Sequence, residues 1–577
     1  HFVRDTLLQY AELYPTIGLH PKRRTNANNP GKLFWQSLNE AVWLVYTIQA
    51  YDLVFDALET TDRQTIEQGV LRPMALFLSE GSAITFNKVH NHGTWLTAAV
   101  GMTGYVLGEP TWVERALYDL DLAKKGGFLK QIELLFSPDG YYSEGPYYQR
   151  YALMPFVTFA KAIDNNNPEL KIFEYQGARL LKAIDTTIQL SYDGLFFGIN
   201  DAIKSKGIDT DELVLGVAIA YAIERRAELL DVAAAQGQTL LTGDGLKLAE
   251  ALDANHQKPY KMQTKAFLDG ATGDQGALVV MRSPGSILKG KRDQALVFKA
   301  TSQGMGHGHF DKLGIQLFDQ GREVVSDYGA ARFLNIESKN GGRYLPENKS
   351  YAKQTIAHNT VVVDGRSHFD GKLKKAQNHA PVLEHFSQQA GLTVATASID
   401  SAYKDVDLSR TLLSFELAGS NMILDLFDVS ADKAVQLDLP VHYEGQVIYS
   451  SAPIKAQTTL SPLGKRNGYQ HLWFKGQAKP DAGSQQLTWL GENGRFYTYT
   501  MLVPEQSELL FVSTGANDPD FNLRSESAFI QRVQGATRHT FVGLYEPHGE
   551  YNPAKEYTLQ AESQLAYLDH QFKAESR

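Results

Sequence analysis

The strongest constraint on the fold is a change of hydrophobic period partway along the chain. As far as Ala254, apolar residues recur every three or four positions, the spacing that gives a helix a buried stripe. "QSLNEAVWLVYTIQAYDLVFDAL" from Gln36 is one such run; "TWLTAAVGMTGYVLG", "YALMPFVTFAKAI" and "DELVLGVAIAYAIERRAELLDVAAAQG" are others. Some are apolar nearly all round, which suits helices packed on two sides. From Gly276 the runs become short and alternating, as in "ALVVMR", "QALVFKAT", "HNTVVVDG" and "GRFYTYTMLV", with turn residues between them. That is the pattern of stacked antiparallel sheets. The chain reads as a multidomain α+β protein. Residues 1–260 form a helical toroid or irregular bundle and residues 261–577 an antiparallel multi-sheet domain, with the switch around 255–270.

Composition narrows the function. The 577 residues carry a net charge of −9, with 43% hydrophobic and 21% charged residues. Such a globular chain has no global basic field for nucleic acid or an anionic membrane. An acidic ligand must be held by local cations. The cysteine count is zero, which excludes disulfides, thiolate metal sites and a cysteine nucleophile, and fits a bacterial periplasmic or secreted protein without excluding the cytosol. No run approaches the ~20 apolar residues of a membrane helix. The opening "HFVRDTLLQY" lacks a methionine and a signal-peptide pattern, so it is expected to be a processed or trimmed end.

Four stretches carry chemistry. "GHGHFDKLGIQLFD" sets His307 and His309 two residues apart at an expected strand edge, where both face one side. Asp327 in "REVVSDYGAARF" and His358 in "AKQTIAHNTVVVDG" are expected at the end and start of strands. His, Asp and His are ligands zinc accepts, although each also reads as a satisfied polar residue of a sheet. In "KVHNHGTWLTAAVG", Asn91 reads as a helix N-cap, and the adjacent helix start disfavours imidazolium at His92, leaving the neutral ring a general base needs. "SPDGYYSEGPYYQRYALMPF" clusters Tyr141, Tyr142, Tyr147 and Tyr148 with Glu144 and Arg150. Most clustered tyrosines are packing residues, but one beside a cation can reach phenolate. Finally, "DYGAARFLNIESKNGGRYLPENKSYAKQ" offers Arg332, Lys339, Arg343, Lys349 and Lys353 with Tyr344 and Tyr351, either a solvated loop or a clamp for carboxylates.

Together "NHGTW", "DGYYSEGPYYQRYAL", "GHGHFDKL", "DYGAARF" and "GGRYLPENKSYAKQTIAHNTVVVDG" resemble the heparinase II/III-like polysaccharide lyases, and within them polysaccharide lyase family 17, the oligoalginate lyases. The resemblance spans about Gln36 to Asp364. It implies an N-terminal (α/α) toroid, an incomplete helical barrel, followed by a C-terminal antiparallel β-sandwich domain that shares the active site. It also implies roles: Asn91 on the substrate carboxylate, His92 beside the sugar, Tyr148 as catalytic phenol and His307 assisting from the sheet domain. Gln36, Arg150, Arg332, Arg343 and Tyr344 become substrate-binding residues. His309, Asp327 and His358 become ligands of a structural zinc. The implied reaction is β-elimination at a uronate linkage, most simply exolytic release of unsaturated monouronate from alginate oligosaccharides. A homodimer is left open.

The rivals are a glycoside hydrolase on an (α/α) toroid, a non-catalytic polysaccharide-binding protein, and a lyase of heparan sulfate, hyaluronan or chondroitin type. A hydrolase needs two carboxylates flanking the bond, and Glu40, Asp139 and Glu144 are available.

Overall fold

The structure is a computed structural model; it describes residues 1–21, 29–289, 293–331, 342–555, 558 and 560–569. Helices fill the chain from Phe2–Leu13 to Gly243–Asp253, and antiparallel strands run from Lys265–Leu268 to Ser527–His548.

The helix Asn91–Leu107 shows why the first half closes around itself. Nearly every residue from Asn91 to Gly104 is buried, because neighbours pack on all its sides. One is the helix Pro146–Asn166, whose Phe159 ring would lie 2.1 Å from a Cβ on Gly101. Only glycine permits that approach. The long pattern from Asp211 breaks in two at Arg225, which has a φ of 55°, giving Asp211–Glu224 and Glu228–Gln236.

The strands Lys265–Leu268, Gly276–Arg282, Gln294–Thr301, Gly314–Asp319 and Arg322–Val325 pair antiparallel in sequence order. Gly276–Arg282 is buried on both faces. Ala277, Val279 and Met281 enter the core of the sheet domain. Leu278 and Val280 point the other way, into a separate cluster with Tyr141, Leu190, Phe197 and Ile199 of the helical half. The alternation of a pleated strand thus seals the two halves together. Farther on, Ser420–Tyr443 and Ser527–His548 pair along most of their length, with register shifts between Ser430 and Leu437. One part of this long pair lies beside Val406–Leu417 and Phe496–Val503, the other beside Glu508–Thr514 and Val362–Val363, so two sheets share it.

Candidate active site

A cleft of about 790 Å³ opens where the halves meet. Helix starts supply one wall. Gln36 precedes Ser37–Val54, Asn91 and His92 open Asn91–Leu107, and Tyr147 and Tyr148 lie in the first turn of Pro146–Asn166. Gly306, His307 and Tyr344 come from the sheet half.

The expected strand edge at His307 and His309 is not a strand. Met305–His307 is a single 3₁₀ turn, the chain then extends, and pairing begins only at Gly314. Asp327 lies two residues beyond the strand Arg322–Val325, and His358 follows the 3₁₀ turn Thr355–Ala357. The glycines that flank the histidines break the ladder. The two imidazoles still converge, because both reach one carboxylate that the sequence did not single out. Asp201 Oδ2 accepts from His307 Nδ1 at 3.0 Å, and Oδ1 from His309 Nε2 at 3.1 Å. Asn348 Nδ2 adds a bond of 2.7 Å and Lys353 Nζ an ion pair of 3.2 Å. Burial alone would push the Asp201 carboxyl up, but His307 and His309, then Lys353, hold it well below the usual carboxylate range. A carboxylate only accepts, so His307 carries its proton on Nδ1 and His309 on Nε2.

The backbone of Asp201 registers the opposite wall. Its N–H donates to the His307 carbonyl at 3.3 Å, and its carbonyl accepts the Tyr148 hydroxyl at 3.4 Å. The Tyr148 ring lies on the His307 imidazole with centroids 3.7 Å apart and planes 20° from parallel. Tyr147 meets Tyr148 edge-on at 4.9 Å, so Tyr148 is the one stacked on the histidine. Tyr141 and Tyr142 are fully buried packing residues.

Asn91 is not the cap. His90 is: its Nδ1 accepts the His92 N–H at 3.2 Å. Burial, then His92 and Lys88, push His90 down to about 3, so the capping nitrogen stays an acceptor. Buried Gln131 fixes this turn, accepting from the His90 N–H and donating to the Lys88 carbonyl. Asn91 is thereby released to line the cleft, with its Oδ1 buried.

The remaining expected binders separate. Gln36 lines the cleft and accepts from Asn29 at 3.1 Å, and Tyr344 is an exposed part of the rim. Arg150 does not line the cleft: it pairs with Glu212 at 2.6 Å and lies over the Tyr147 ring at 4.8 Å. One helical turn cannot point both Tyr148 and Arg150 inward. Arg332, Lys339 and the side chain of Arg343 lie outside the described residues.

Glu40 is buried under the Lys32 and Phe34 amides, and Asp139 pairs with Lys265. Neither they nor Glu144 line the cleft; among the described residues its only carboxylate is Asp201. The two-carboxylate arrangement of a hydrolase is absent from that lining.

Comparison with known proteins agrees with this geometry. The chain is 51% identical over 575 residues to the exo-oligoalginate lyase of Saccharophagus degradans, covering 99% of this chain and 77% of that protein. It is 51% identical over 567 residues to the alginate lyase of Stenotrophomonas maltophilia, covering 98% and 75%. The chain belongs to the heparinase II/III-like oligoalginate lyases. The alginate lyase family matches residues 18–196 of this lyase, and the heparinase II/III-like C-terminal family matches 268–557. Among solved structures its fold is similar to the heparan sulfate lyase HepC from Pedobacter heparinus. The TM-score is 0.61 at 14% identity, over 96% of this chain and 74% of that one. Heparinase III gives 0.61 at 12% identity, over 93% and 72%.

Behind the cleft of the lyase, His309, Asp327 and His358 form a buried group with one donor atom from each within 4.8 Å of the others. His358 Nδ1 donates to Asp327 Oδ2 at 2.8 Å. Among the described residues, His309 Nδ1 and His358 Nε2 are buried with no hydrogen-bond partner. Two orphaned imidazole nitrogens and a carboxylate fit a divalent cation, and Asp201 holds the far nitrogen of His309 as a histidine ligand requires.

Proposed function

We propose that the chain cleaves alginate oligosaccharides by β-elimination, releasing unsaturated monouronate from a chain end. The stacking of Tyr148 on His307, in a cleft that among the described residues holds no paired carboxylates, carries this reading. In the reaction a base takes the C5 proton, the electron pair forms the C4–C5 double bond, and the C4–oxygen bond breaks. The departing oxygen takes a proton from an acid. The proton lies next to an ionised carboxylate, so charge builds there and needs fixed donors. Asn91 and protonated His307 are assigned that task. Tyr148 serves as base and acid when both groups lie on one ring face, as in mannuronate. For guluronate, whose proton lies opposite, His92 is the base and Tyr148 the acid. Gln36 and Tyr344 are assigned to sugar contacts, and Arg150 steadies Tyr147. The lack of cysteine supports a periplasmic or secreted site of action.

The test is incubation with alginate, heparin and chondroitin, following ultraviolet absorbance and product size. Rapid monomer release from alginate alone is expected, and Tyr148→Phe should lower kcat by roughly 10²–10⁴. Hydrolytic products without the absorbing double bond would sink the proposal.

We assign the buried His309–Asp327–His358 group to a structural zinc. When bound, the metal would stiffen the segment that presents His307. Chelator dialysis should lower Tm and should not shift the Tm of a His358→Ala variant further.

A further inference from the structure

The lyase chemistry leaves part of the cleft lining without a task, including Trp35, Ile84, Thr85 and Lys88. Lys88 differs from an ordinary surface lysine in three ways. Its backbone is fixed: its N–H donates to the Thr85 carbonyl at 3.3 Å, and its own carbonyl accepts from Gln131 at 2.8 Å. A Cβ on Gly93 would come within 2.0 Å of that carbonyl, so the turn is held by a close approach that only glycine allows. The side chain nevertheless remains exposed. Second, its charge is uncompensated. Among the described residues no carboxylate pairs with it, and the cleft's carboxylate, Asp201, is taken up by His307, His309, Asn348 and Lys353. Third, this cation lines a cleft in a chain of net charge −9, where a polyanion must be held at short range.

The cleft volume of about 790 Å³ falls in the roughly 300–1,000 Å³ range of sites for drug-sized ligands, larger than one sugar ring. A polyuronate brings one carboxylate per sugar. The reacting sugar's carboxylate is assigned to Asn91 and His307, and the next sugar brings another. We infer that Lys88 binds the carboxylate of the uronate adjacent to the one that reacts, and so selects acidic over neutral sugars there. This rests on the lyase reading. An ammonium on a flexible stem suits a carboxylate that must be released at every turn, since it imposes no fork geometry.

The test uses the full chain and two alginate trisaccharides, one native and one with the neighbouring uronate reduced to the alcohol. Lys88→Met should raise KM for the native trisaccharide roughly threefold to tenfold, with a much smaller change in kcat. Lys88→Arg should recover most of that affinity. On the reduced trisaccharide, wild type and Lys88→Met should have the same KM, because the pair is already broken. An unchanged KM in Lys88→Met, or an equal loss on both substrates, overturns the assignment. Failure of the lyase reading looks different: wild type then forms no unsaturated product. Calorimetric binding of the native trisaccharide in a Tyr148→Phe background still reads Lys88, with the same affinity ratio expected.

Discussion

Asp201 and Lys204 lie on one loop of the helical half, and both reach into the sheet half, with opposite charge. Asp201 is an acid surrounded by donors: His307, His309, Asn348 and Lys353. Lys204 is a base surrounded by acids, pairing with Glu323 at 2.8 Å and Glu526 at 4.0 Å. Arg524 joins Glu526 at 2.9 Å, and Glu444 adds a third acid. The first cluster is balanced and borders the cleft. The second carries more acid than base and contributes nothing to the described lining. One therefore borders the cleft and the other only joins the halves, and substitutions can separate the two.

The largest effect is expected at Asp201. Asp201→Asn keeps the shape but removes the charge that orients two histidines, and kcat should fall about 10- to 100-fold, the usual cost of losing such an outer partner. Steady-state kinetics on alginate trisaccharide reads it. An effect on Tm alone would reduce Asp201 to an anchor like Lys204. Lys204→Met should do the reverse. It strands half-buried Glu323 and buried Glu526, and because the Lys204 side chain is 25% exposed the expected stability loss is about 2–4 kcal/mol. Thermal unfolding measures it, and kcat per folded molecule should stay near wild type. The smallest effect is a pH dependence. Burial, then Glu526, pushes Glu444 up from 4.5 to about 7. A carboxyl raised by folding contributes stability that is full below 4.5 and is lost as pH rises through about 7. Glu444→Gln should flatten that decline by about 1–2 kcal/mol, read by denaturant unfolding across this range.

The comparison also shows what the sequence could reveal. Periodicity carried the two architectures, since a helix packed on all sides and a strand buried on both faces still leave distinct periods in the text. The site was legible where residues cluster locally, as at Asn91–His92, Tyr147–Tyr148 and His307–His309. Asp201 left no such mark. It is one of 65 acidic residues, its neighbours "GINDAIK" form no motif, and its partners lie more than 100 positions away. Capping was misassigned because asparagine is the commoner cap, whereas a half-buried neutral His90 does the work here. Alternation misled at Gly306–Gly308, where spacing of two suggested a strand but the glycines and a 3₁₀ turn prevail.

The main-chain N–H and carbonyl of Asp201 touch His307 and Tyr148 respectively. A single residue thus acts as the gauge block between phenol and imidazole. Swinging the halves open like jaws would pull these two rings out of alignment at each cycle.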